Sequence, residues 1–199
     1  VAHVLARLNG FGMTVLPNWP YAFERENDAV RATRWTDGGS VDVLIEPGRA
    51  VDGGEVVDVG DGLDVPHWLI ETSAFRVRWP EGFSVASPHD GSDGTPFYLQ
   101  GAGEASIFPQ GPVPRARLAG PDALVAPDQE VLDRRTGDNG VAVVELGYVH
   151  EGSPWWQGHW TVPYLDDQFL VITAQSLRSA AATTRSAAAA VAGSLEPSR

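Results

Sequence analysis

Few residues in this chain have the types and spacing that chemistry requires. Gly82-Phe83-Ser84-Val85-Ala86 opens like a nucleophile elbow, the sharp strand-to-helix turn that presents a catalytic serine. Ala86 stands where that turn needs glycine, and no helical pattern follows, so Ser84 reads as an alternating strand residue. The five histidines, His3, His67, His89, His150 and His159, lack the four-residue spacing that places two imidazoles on one helix face for zinc. His150 and His159 fall near opposite ends of a turn-linked strand pair, with Glu145 and Glu151 close in sequence. Such a set could supply a two-histidine, one-carboxylate metal site. A metal-dependent hydrolase is therefore one alternative, although an isolated histidine more often serves as a surface or hydrogen-bonding group.

Carboxylates pair closely at Asp166-Asp167 and at Glu24/Glu26. The first pair sits in a hairpin turn, where aspartate bonds its own backbone; the second shares a solvated strand face. The acidic stretch from His89 to Gly94 lacks the alternating spacing of a calcium loop and reads as a turn. Gly101-Ala102-Gly103 has no following helix or lysine and reads as a hairpin turn, not a phosphate loop. These residues single out no catalytic group, no metal ligand set and no cofactor.

Composition narrows the field further. The chain has 199 residues, enough for one large domain or two small ones. It contains no cysteine, which removes disulfides, thiolate metal sites and a cysteine nucleophile. All 14 basic side chains are arginine, so Schiff-base catalysis and a phosphate-loop lysine are excluded. A net charge of −12 disfavours nucleic acid and anionic membrane surfaces and favours basic or neutral partners. No run approaches the ~18 apolar residues of a membrane span. No basic segment leads into a long apolar one at the N-terminus, so the expected location is cytoplasmic. Val1 stands in place of methionine and leaves room for a removed leader.

Periodicity supplies the elements that would position these groups. Residues 1–9 show a helical spacing stopped by Gly10 and Gly12. Tyr21 to Ile45 reads as three strands, turned at Glu26-Asn27-Asp28 and at Asp37-Gly38-Gly39-Ser40. Residues 46–66, rich in Gly, Asp and Pro, read as a loop with only Glu55–Val59 strand-like, and as the seam of a subdomain. Phe75, Val77 and Trp79 alternate with Arg76 and Arg78, the period of a half-buried strand, and Phe83–Ala86 continues it. Phe97–Gln100 and Glu104–Phe108 form a hairpin. Residues 109–128, with five prolines, form a long irregular connection.

Val141–Val149, Trp155–Tyr164 and Gln168–Gln175 read as antiparallel strands, turned at His150 to Pro154 and at Leu165-Asp166-Asp167. An Ala-rich helix over 177–192 follows, with Gly193 as its C′ residue. Its stripe is Leu177, Ala181, Thr184, Ala188, Val191 and Leu195.

The aromatic residues of the last third mark the surface of most interest. Trp156, Trp160, Val162 and Tyr164 point one way, Trp155, Gln157, His159 and Thr161 the other. One sheet face is expected to be core beneath the helix. The other is expected to be mixed, with Glu145, Trp155, Gln157 and His159 as a ligand or partner site. The competing reading makes this face a second core layer, covered by the N-terminal strands or the proline-rich connection, since seven tryptophans need burial.

A strand followed by "WPEGFSVASP", further hairpins, three closing strands ending "QFLVITAQS" and an Ala-rich helix ending "AGSLEP" resemble the PsbP-like superfamily over residues 74–197. That group includes an extrinsic photosystem subunit, a nuclear-import cofactor and small bacterial proteins of unknown role. The resemblance implies an α/β/α sandwich around a curved antiparallel sheet, and members that mostly bind partners or assist assembly. The expected fold is thus α+β, mainly antiparallel sheet with the C-terminal Ala-rich helix packed on one face. Residues 1–70 form an N-terminal strand-rich extension or subdomain and 71–197 the core domain. The expected function is non-enzymatic binding of a protein partner or small ligand, as an adaptor, assembly factor or immunity-type inhibitor. The metal-dependent hydrolase and a purely structural domain are the alternatives.

Overall fold

The alternation that marks half-buried strands recurs through most of the chain, and the computed structural model is accordingly sheet-rich. It describes residues 4–46, 56–90, 92–120 and 122–198, with backbone alone for 4–12 and 56–67. Two compact units emerge, one from residues 1–97 with 194–199, the other from residues 98–193.

In the first unit β1 (Val4–Val15) is a strand where helical spacing led us to expect a helix over 1–9; residues 1–3 lie outside the described residues. A short apolar run fits either period, and tertiary pairing decides between them. Gly10 and Gly12, poor in a helix, sit at register shifts in this strand. Two hairpin turns produce the expected meander of β2 (Tyr21–Glu26), β3 (Ala29–Thr36) and β4 (Gly39–Ile45).

The expected loop at 46–66 is corrected from Val56 onward; residues 47–55 lie outside the described residues. β5 (Val56–Glu71) runs through its glycines and aspartates and pairs in parallel with β1, from Val4↔Val56 to Val15↔Ile70. β6 (Phe75–Arg78) pairs antiparallel with the end of β5 and buries Phe75 and Val77, as alternation predicts. The turn after Pro80 leads into β7 (Ser84–Ala86), which pairs with β2 and holds Ser84 in a strand.

The second unit begins with a hairpin, β8 (Tyr98–Gly101) and β9 (Ala105–Pro114). β9 continues through Pro109, Pro112 and Pro114 into what composition reads as irregular connection. Those prolines lie beyond the last β8 pair, Leu99↔Ile107, where β9 has β13 (Gln168–Leu177) on one side. A proline is tolerated in a strand with one free edge. β10 (Glu130–Thr136), which periodicity missed, is an exposed edge strand carrying Asp133, Arg134 and Arg135, the charge pattern that protects an edge. β11 (Ala142–His150) and β12 (Ser153–Tyr164) complete an antiparallel order β10-β11-β12-β13-β9-β8.

α1 (Ala181–Gly193) follows a 3-10 turn at Arg178–Ala180, so Leu177 ends a strand instead of opening the helix. Its buried side chains are Ala181, Thr184, Ala187, Ala188, Val191 and Ala192, small enough for the helix to lie close on the sheet. Gly193 is the last helical residue, and its φ lies outside the left-handed region expected of a C′ glycine. After the helix, β14 (Glu196–Pro197) pairs with β6, where Arg76 reaches the Glu196 carboxylate at 2.6 Å.

Trp156 and Trp160 meet edge to face beneath α1, with ring centroids 6.2 Å apart. Gly158 lies between them because a Cβ there would come within 2.7 Å of the Trp160 ring and 2.9 Å of the Trp156 ring. No helix among the described residues is long and apolar enough to cross a membrane.

Candidate functional site

The tight turn between β11 and β12 decides which side chains share a face. The expected turn spanned His150 to Pro154, but the observed one has only Glu151 and Gly152 at its centre, with φ of 50° and 77°. Positive φ at both positions is the mark of the turn that matches strand twist in a two-residue hairpin. It pairs His150↔Ser153, Tyr148↔Trp155, Leu146↔Gln157, Val144↔His159 and Glu145↔Gly158.

Directly opposed residues project to the same side of a sheet, so Trp155, Gln157 and His159 share a face with Tyr148, Leu146 and Val144. Glu145 shares the helix face with Trp156 and Trp160. The anticipated four-residue set is therefore split. A one-residue difference in register moves every side chain of a strand to the other face.

Glu145 is buried and fully engaged. The Trp156 indole donates to it at 2.9 Å, Arg135 of β10 at 2.7 Å, and Arg185 of α1 through Nε at 2.8 Å. Burial alone would raise its pKa, but the bonds from Arg185, Arg135 and Trp156 overturn that and hold the carboxyl below its usual range. The Arg185 guanidinium also lies over the Trp156 ring, 5.3 Å from its centroid. The carboxylate joins helix to sheet and has no free side for a ligand.

On the opposite face, His159 is 7% exposed and its Nδ1 lies 2.9 Å from the Thr173 hydroxyl, which in turn donates to Gln110 Oε1 at 2.9 Å. With the hydroxyl proton committed to Gln110, Thr173 accepts from Nδ1–H, which fixes a neutral tautomer. Burial pushes the imidazole pKa down to about 4. Gln157 is half-buried and accepts a hydrogen bond from Gln129, which precedes β10. The middle of this face is buried at Val144, Leu146 and His159.

The end of the face beyond Gln157 is open. A cleft of about 410 Å³ is lined by Tyr148, His150, Glu151, Ser153, Trp155, Glu104, Gln175 and Leu177. Tyr148 and Trp155 stack with centroids 6.1 Å apart and planes at 24°, and His150 meets Trp155 edge-on at 6.1 Å. Burial, and secondarily the charge of Asp128, raises the Tyr148 pKa and keeps its phenol neutral.

Of the anticipated residues, Trp155 alone lines the cleft. Tyr148, Gln175, Ser153 and Glu104 carry no signal of their own in the sequence. A two-residue turn at Glu151-Gly152 is the one sequence feature that could have revealed them.

The alternative metal set does not assemble. His150 and His159 share a face but stand six residues apart along the pair (Ser153 to His159), a separation of about 20 Å at ~3.4 Å per residue. Glu145 lies on the other side of the sheet. Among the described residues no group of three His, Cys, Asp or Glu side chains could hold a metal ion.

No protein-family profile matches the chain, and no curated protein matches it. Among solved structures it is similar to LpqN, involved in cell envelope biogenesis of Mycobacterium tuberculosis, at 18% identity over 62% of this chain and 77% of that one, with a TM-score of 0.31. It is also similar to cyanobacterial PsbP (CyanoP) from Synechocystis, at 12% identity over 63% and 88% of the two chains, with a TM-score of 0.35.

Proposed function

We propose that this protein is a non-enzymatic binding module, an adaptor, assembly factor or immunity-type binder, that engages a protein partner at the Trp155 end of the sheet face turned away from α1. The carrying observation is the aromatic-walled cleft of about 410 Å³ at the β11–β12 turn. Concave sites that combine aromatic walls with a few polar groups are where partners and ligands are held. A non-enzymatic role is supported by how the potential catalytic groups are used. Glu145 is neutralised between two arginines, His159 is locked onto Thr173, and no three His, Asp or Glu side chains among the described residues converge on one point.

The test is a pairwise affinity capture from the source lysate with the wild-type chain and Tyr148→Ala. Tyr148 is half-buried at the cleft, so its truncation is expected to shift the thermal midpoint by only a few degrees. A partner present in stoichiometric amount with wild type and missing with the variant supports the reading. Capture identical in the two refutes it and favours a purely structural domain. Trp155 and His159 are unsuitable probes, because both are at least nine-tenths buried and their truncation reports on packing.

A further inference from the structure

We propose that the cleft at the β11–β12 turn receives an arginine side chain of the partner polypeptide; this deepens the binding reading above and rests on it. The cleft combines three features that together select a planar cation. Its wall is the half-buried Tyr148 ring, backed by the buried Trp155 on which it stacks, and an aromatic ring attracts positive charge. Two carboxylates, Glu104 and Glu151, line it from two different hairpin turns. Neither has an ion-pair partner among the described residues, whereas Glu145 on the other face is held by two arginines.

Both glutamates are held at left-handed φ, 55° and 50°, a conformation that non-glycine residues seldom adopt. The turns that impose it fix where the two side chains leave the backbone, both toward the cleft they line.

Arginine fits this arrangement better than lysine. A guanidinium is flat, stacks on aromatic rings, donates in a fork to carboxylates and is weakly hydrated, whereas an ammonium is a compact, strongly hydrated point charge. His150, Glu151 and Glu104 are all exposed, so the cleft opens to solvent and admits a side chain whose main chain stays outside. The net charge of −12 draws a basic partner toward the surface over a longer range.

The experiment uses the full chain, isotopically labelled, titrated with N-acetyl-Gly-Arg-Gly-amide and with its citrulline and lysine counterparts, and read by proton–nitrogen NMR. Citrulline keeps the shape and removes the charge. The arginine peptide is expected to shift the Trp155 indole and the amides of Glu151 and Ser153, with citrulline at least tenfold weaker and lysine between. The double variant Glu104→Gln/Glu151→Gln alters exposed side chains only. It should retain the native spectrum and weaken arginine-peptide binding at least fivefold.

Equal shifts with citrulline, or shifts confined to other residues, overturn the inference. If the Tyr148-dependent capture succeeds while these titrations fail, the cleft binds a partner by other chemistry and only the arginine assignment falls. If both fail, the binding reading falls with it. Concentration-dependent broadening of the same signals without peptide would make a second copy of the chain the occupant, and would also overturn the assignment.

Discussion

His159 offers a quantitative test of the packing on the face opposite α1. Burial holds its pKa near 4 in the native chain against an ordinary value of 6.5. The unfolded chain therefore binds one more proton than the native one between these limits, and stability falls as the pH drops through the window. The contribution is fully present above pH 6.5 and is lost progressively toward pH 4. A difference of about 2.5 pH units corresponds to about 3 kcal/mol. His159→Gln keeps a hydrogen-bonding group near Thr173 but removes the titration. Urea unfolding of both proteins between pH 7.5 and pH 4 isolates this residue, because other groups cancel in the difference. The wild type should lose about 3 kcal/mol more than the variant over that interval. Parallel curves would refute the burial argument and mean that the imidazole is protonated in place, with solvent or a carboxylate reaching it.

Other outcomes follow from the same packing and surface charge. Glu145→Ala strands the buried Trp156 indole and leaves Arg185 without its carboxylate, while Arg135 keeps Asp133. It should cost about 2–4 kcal/mol once screening at the arginines is allowed for, measured as a drop in urea midpoint. Glu145→Gln should cost less, and should flatten the loss of stability below pH 4.5, because a carboxyl held below its ordinary value contributes above that value and loses its contribution as pH falls. Gly158→Ala forces a methyl against the Trp156 and Trp160 rings and should cost about 1–3 kcal/mol, while Gly38→Ala, with open space around its Cβ position, should leave the thermal midpoint within a degree or two. Association with the captured partner should slow several-fold between 50 and ~300 mM salt, within the screening range of surface charge; a salt-independent rate would remove the electrostatic argument.

Much of the architecture was legible before any coordinates. The alternation of Phe75, Val77 and Trp79, the meander from Tyr21 to Ile45, the three closing strands and the Ala-rich helix are local patterns, and local patterns survive into the fold. The misread segments share a cause. Val4–Val15 and Val56–Glu71 are strands because they pair with each other across some fifty residues, and neither run shows that partner in its own spacing. Pro109–Pro114 stays in a strand because one of its edges is free, a fact about neighbours and not about proline. Glu130–Thr136, exposed along its whole length, has no apolar face to betray it.

The candidate site divides along the same line. Sequence by itself determined that the last third would carry an aromatic and polar sheet face, that Trp155, Gln157 and His159 would share it, and that no cysteine or lysine chemistry was available. Only the tertiary structure decided that the β11–β12 turn takes two central residues and not more. That single step in register carried Glu145 to the helix face, where Arg185 was waiting forty residues further along the chain. It also brought Tyr148 to Trp155 and left Glu151 at the rim. A turn's backbone energy differs little between such choices, so the outcome is set by what each register buries, and the partners of that burial lie far away in the sequence.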